Sequence, residues 1–126
     1  MRQPLVGVLA LTLFVASGTV AASRCVLPVP DGGDITPSPA SLIGKIVSVT
    51  PGQLLVRRKG AAKPLRIVVA PSTELFTVYG GDFDAQELRP GQHVLIWYKD
   101  CSVPMRRLPV AAVLQVCSLA PEPCPT

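Results

Sequence analysis

Gly44-Lys45-Ile46-Val47-Ser48-Val49-Thr50 is rich in β-branched side chains and roughly alternates apolar with polar, which predicts a strand. Pro51-Gly52 turns the chain, and Gln53 to Arg58 returns as a second strand. Lys59-Gly60-Ala61-Ala62-Lys63 makes the next turn. In the third strand Leu65, Ile67 and Val69 point one way, with Arg66 and Val68 opposite. Three strands joined by short turns predict an antiparallel meander.

Downstream the same texture recurs with interruptions. Pro71 ends the first unit, and Thr73 to Tyr79 is again β-rich until Gly80-Gly81-Asp82 breaks it. In Asp84-Ala85-Gln86-Glu87-Leu88 an acidic side chain can cap free amides while Glu87, three residues on, answers it. That spacing predicts a capping box and one short helix. Arg89-Pro90-Gly91-Gln92 turns into a fourth strand, His93 to Lys99, and Val110 to Val116 gives a fifth. No long helical periodicity appears after the first residues of the chain. The expected fold is all-β: a five-stranded OB-like Greek-key small barrel with one short helix, over residues 42–117. A two-layer sandwich is the alternative.

The flanks have a different composition. Residues 23–41 carry Pro28, Pro30, Pro37 and Pro39 around Asp31-Gly32-Gly33-Asp34, which predicts an irregular arm. Residues 118–126 form a Pro-rich tail. At the start, Arg2 precedes an apolar run from Leu5 to Val15, and small residues follow through Ala21-Ala22. A charge, a greasy middle and small side chains are what a signal peptide needs, so residues 1–22 are expected to be removed and the remainder exported. Ser23 is the preferred mature start, and a cut after Ala21 is the second choice. The run is shorter than the roughly 20 apolar residues that span a bilayer, and no second such segment follows it. What remains suffices for one domain with a core of its own. The chain carries a net charge of +4, and of its charges only Arg2 lies in the leader, so the mature domain stays basic. The expected location is periplasmic or secreted.

Gly44-Lys45-Ile46, Leu55-Val56, Ile67-Val68-Val69, Leu88-Arg89-Pro90-Gly91-Gln92-His93-Val94 and Ala111-Ala112-Val113-Leu114 together resemble a family of exported bacterial domains of unknown function with an OB-like barrel. The likeness covers residues 44–116. It implies a periplasmic binding module and supplies no catalytic residues.

All four cysteines, Cys25, Cys101, Cys117 and Cys124, follow the leader, and no C-x-x-C spacing is present. Structural disulfides are therefore expected in an oxidising compartment. A hairpin centred near Pro104 places Cys101 close to its loop and Cys117 far along the returning strand. Bridged Cα atoms lie within about 7 Å, so a Cys101–Cys117 pair is disfavoured. Cys25–Cys101 with Cys117–Cys124 is slightly preferred, and Cys25–Cys117 with Cys101–Cys124 stays open.

Arg57, Arg58, Lys59, Lys63 and Arg66 place five of the 12 Lys and Arg residues on one hairpin. Such a hairpin suits an anionic surface or partner in the cell envelope. It carries no aromatic residue for base stacking, and export adds to the case against nucleic acid. Tyr79, Trp97 and Tyr98 are candidate contact aromatics. Trp97 and Tyr98 are adjacent, so one is expected in the core and the other exposed or under the arm.

Enzymatic readings have thin support. His93 is the single histidine and no nucleophile-elbow motif accompanies it. One histidine with bridged cysteines is too few ligands for zinc. Asp82, Asp84 and Glu87 could serve calcium or a small hydrolase, but turn and capping roles explain them better. The expectation is a non-enzymatic envelope binding module with no cofactor and no metal. A structural or accessory protein docking on another envelope polypeptide is the alternative.

Protein recovered from the envelope should have a mass starting at Ser23. It should take no thiol-alkylating reagent until reduced, and then four equivalents, one for each cysteine. Intact mass spectrometry checks this, and alkylation without reduction counts against the disulfide reading.

Overall fold

A computed structural model describes Gly7 and residues 24–102 and 107–125. The expected leader, apart from Gly7, lies outside these residues. Six strands follow in order: β1 (Leu42–Thr50), β2 (Gln53–Arg58), β3 (Leu65–Val68), β4 (Glu74–Thr77), β5 (His93–Tyr98) and β6 (Ala111–Val116). They form one mixed sheet in the order β3-β2-β1-β5-β6-β4. All neighbours are antiparallel except β4 and β6, which run parallel. Among the described residues, no helix is long and apolar enough to cross a membrane.

The expected meander is present as β1-β2-β3. Alternation carries it: Leu42, Gly44 and Ile46 are buried while Ile43, Lys45 and Val47 are exposed. Gly52 turns the first hairpin with φ +76°, a region that glycine enters without steric cost. Gly44 has a different duty. A Cβ there would lie 2.6 Å from Val56 Cγ1 and 2.7 Å from the Arg57 carbonyl oxygen, so β2 approaches β1 too closely for any side chain.

Two register shifts shape the sheet. Ile46 faces Val56 while Ser48 faces Leu55, leaving Val47 as an extra residue in β1. Trp97 faces Val113 while Tyr98 faces Ala111, leaving Ala112 extra in β6. Bulges of this kind bend and twist a strand. They also let residues that simple alternation would separate share a face. Ile46 and Val49 both join the inner cluster, as do Ala111 and Leu114.

That cluster draws on β1, β2, β3, β5 and β6, with Phe83 and Leu88 from the β4–β5 connection. Ile46, Leu54, Val56, Ile67, Val94, Ile96, Leu114 and Val116 within it are fully enclosed. Burial at about 1.5–3 kcal/mol per side chain makes this the main stabilising term. A second cluster lies on the opposite face, where Phe76, Trp97 and Val113 are covered by Leu27 and Ala40 of the arm.

The structure corrects the expected fold in three respects. There are six strands rather than five, because Glu74–Thr77 pairs with β6. That partner is remote in sequence and parallel, so no local pattern announces it. The ladder is an open mixed sheet rather than a closed five-stranded Greek-key barrel, and it is one sheet rather than a two-layer sandwich. The short helix is a 3₁₀ turn at Ala85–Glu87, bearing the expected capping box between Asp84 and Glu87. The arm and the tail lack regular structure among the described residues.

The free edge of β6 is occupied in stages. Val68 forms a parallel bridge with Val110, and its N–H donates to the Pro109 carbonyl at 2.9 Å. β4 then takes Val113 to Val116. Thr73 joins the two: its buried hydroxyl donates to the Ala111 carbonyl at 2.6 Å and accepts from the Ala70 N–H at 2.9 Å.

Thr73→Val should therefore cost about 1–3 kcal/mol, the penalty for leaving buried polar partners unmatched. Gly44→Ala should cost about 1–3 kcal/mol by overpacking. Denaturant unfolding checks both, and near-neutral values would show that neither close contact matters to stability.

Candidate functional site

Arg57 and Arg58 end β2, Lys59 and Lys63 lie in the turn, and Arg66 sits on β3; all five are exposed. Register divides them between faces. Arg57 stands directly opposite Lys45 of β1, and Lys45 stands opposite His93 of β5. Directly opposed residues of an antiparallel pair project to the same side. Arg57, Lys45 and His93 therefore form a row across three strands on the outer face. Arg66, opposite Leu55, adds a further cation to that face. Arg58 pairs with Gly44 and lies on the inner side, within electrostatic reach of Tyr98.

Lys45 is the member of this cationic row that sequence reasoning did not single out. Alternation places it outward, but its partner depends on the bulge. Thr50 opposite Gln53 would, in unbroken register, set Lys45 against Arg58; the extra Val47 sets it against Arg57 instead.

The candidate aromatics separate. Trp97 is buried beneath the arm, and its indole N–H donates to the Ser38 carbonyl at 2.7 Å. Tyr98 is buried in the inner cluster. One lies in the core and one under the arm, and neither is a contact aromatic on the surface. Tyr79 is 83% exposed, but it follows β4 and lines a small groove with Val29, Pro30, Ile35 and Pro37 of the arm. It does not belong to the cationic row.

Asp82, Asp84 and Glu87 line one wall of an open groove of about 1280 Å³ with Val49, Leu54, Val69 and Leu75 on it. Two of the carboxylates are engaged in the turn itself. Glu87 Oε2 accepts from the Asp84 N–H at 2.9 Å, and Asp84 Oδ1 accepts from the Gln86 N–H at 3.5 Å. Among the described residues no His, Cys, Asp or Glu side chains are grouped to hold a metal ion.

The cysteines pair as Cys25–Cys101 and Cys117–Cys124, with Cα separations of 5.4 and 4.8 Å. The first ties the arm to the turn after β5, where Cys101 takes φ +56°. Gly80 fixes the arm again, because the Pro30 carbonyl occupies the space a Cβ would need. The second closes the tail onto the end of β6.

Comparison with family models, with curated proteins and with solved structures finds no match.

Burial raises the Tyr98 phenol above its ordinary 10.0, and the nearby Arg58 charge opposes that rise. The folded state thus holds its proton longer than the unfolded chain. This contribution to stability is full below pH 10.0 and is lost as pH climbs from there through the higher folded value. Denaturant unfolding at increasing alkaline pH should show a shallower decline for Tyr98→Phe than for wild type, and a longer one for Arg58→Ala.

Proposed function

We propose that this chain is a non-enzymatic exported module that binds an anionic partner in the cell envelope through the outer face of β1, β2 and β3. The observation that carries the reading is Lys45 standing directly opposite Arg57, with His93 beyond it and Arg66 beside it. Like charges opposed across a ladder are destabilising. A ligand that supplies the missing negative charge turns that cost into affinity. The two disulfides are compatible with an oxidising extracytoplasmic location.

For the scaffold, we propose that this open sheet curls in an OB-like manner without closing into a barrel. Support for the curl is the staged occupation of the β6 edge: Val68 at Val110, then Thr73, then β4. These contacts bring the β3 end of the sheet round to β6. The single inner cluster, fed by β1, β2, β3, β5 and β6, suits such a curled sheet. The accessory-protein reading has one observation in its favour. Tyr79, Ile35 and Val29 are exposed together around the arm, a place where another polypeptide could dock. A hydrolytic role for Asp82, Asp84 and Glu87 is weaker, because the turn already employs two of them.

Phosphocellulose supplies a simple polyanion. The protein should be retained near 0.1 M salt, where screening acts over about 10 Å, and released as salt rises toward 1 M. Lys45→Glu should elute earlier while folding as well as wild type or about 0.2–1 kcal/mol better, since it replaces a repulsive pair with an attractive one. Retention unchanged by Lys45→Glu and Arg57→Glu would end the reading.

A further inference from the structure

The cationic row is interleaved with apolar side chains that remain in water. Ile43, two residues before Lys45 on the outward side of β1, is 55% exposed, and Val47, the bulge residue two beyond it, is 39% exposed. Isolated exposed apolar residues need no explanation; what sets Ile43 and Val47 apart is that they flank Lys45 on the outward side of the same strand. A soluble polyanion would use Lys45, Arg57 and Arg66 and leave Ile43 and Val47 without a role. A bilayer surface with anionic headgroups uses both kinds of side chain. Cations meet the charged layer while short apolar side chains enter the boundary just beneath it.

We propose that this face seats against an anionic lipid bilayer, with Lys45, Arg57 and Arg66 among the headgroups and Ile43 and Val47 in the acyl boundary below. The inference rests on the cationic-face reading and names its partner. Its charge complementarity is local. Across the ladder Lys45 meets Arg57 and His93, and Arg66 meets Leu55, so no carboxylate stands directly opposite any of these cations. The carboxylates of Asp82, Asp84 and Glu87 line a different part of the surface. Contact with lipid is peripheral in this arrangement and leaves the sheet intact.

Sedimentation with vesicles of zwitterionic lipid alone, and with an added anionic lipid, tests the proposal. Binding should require the anionic lipid. Each charge removed by Lys45→Gln or Arg57→Gln should lower partition about fivefold, the value of one basic residue near a charged surface. Ile43→Ser and Val47→Ser should each lower it about fourfold, as for withdrawing one methylene's worth of burial, and should leave phosphocellulose retention unchanged. Thermal unfolding of each variant, together with that retention, separates lost binding from lost folding. If the protein binds phosphocellulose but ignores anionic vesicles, the lipid proposal fails while the cationic-face reading stands. If vesicle binding is unaffected by the two serine variants, the partner is charge alone and the proposal also fails. Loss of neither vesicle nor phosphocellulose binding on charge removal overturns both readings.

Discussion

One extra residue in β1 governs both sides of the sheet. Between Thr50 and Ser48 the hairpin keeps the register that its two-residue turn imposes; beyond Val47 every pairing moves by one position. Side chains alternate with a period of two, so such a slip exchanges the faces of everything that follows it. Inward, the slip lets Ile46 and Val49 serve the same core. Outward, it brings Arg57 rather than Arg58 to face Lys45. The bend it introduces is matched by the tight approach at Gly44, where the β2 backbone presses against β1 with no room for a Cβ. β1 can therefore pair with β2 along most of its length and with β5 at its start. The core and the cationic face are two consequences of one local irregularity.

What could be read from residues alone follows from the range of the interactions involved. Strands β1, β2, β3, β5 and β6 show themselves through alternation, and their turns through Pro51-Gly52, Gly60 and Pro90-Gly91. The cap at Asp84 and Glu87 shows itself because donor and acceptor lie within three residues. The adjacency of Trp97 and Tyr98 sufficed to place them on opposite faces, and a Pro-rich arm was a reasonable cover for one of them. β4 was not legible. It is four residues long, ends in a glycine-rich turn, and finds its partner more than a strand and a loop later. Nor was Lys45, because the position of a bulge is decided by packing against β2 and leaves no distinctive residue behind. The surface aromatic assigned to Trp97 or Tyr98 failed for a related reason: a long-range disulfide holds the arm where it hides the indole.

The arm thus works as part of the sheet although it contributes no strand. Cys25–Cys101 fixes its beginning, Ser38 accepts from the Trp97 indole near its end, and the Pro30 carbonyl meets Gly80 between them. Ser38 also accepts from the Val26 N–H at 2.8 Å, which folds the arm back on itself. Closing a long loop with a covalent bond removes conformational entropy from the unfolded chain and favours the folded one. Here it also keeps Phe76, Trp97 and Val113 from water. A small domain with few large aromatics has little apolar surface to spare, and the arm lets both faces of β5 and β6 contribute to stability.

The two ends of the sheet consequently differ in what they leave exposed. At β5, β6 and β4 the outer face is covered and its large side chains are internal. At β1, β2 and β3 the outer face is bare, and it carries cations set against cations with Ile43 and Val47 beside them. A sequence selected only for folding would gain by placing a carboxylate opposite Lys45 and a polar side chain at position 43, since both changes fall on exposed sites that the core does not constrain. Neither is present. A face that keeps electrostatic repulsion and exposed apolar surface together, beside one that the same chain covers with an arm, is the physical basis of the proposed contact with an anionic surface.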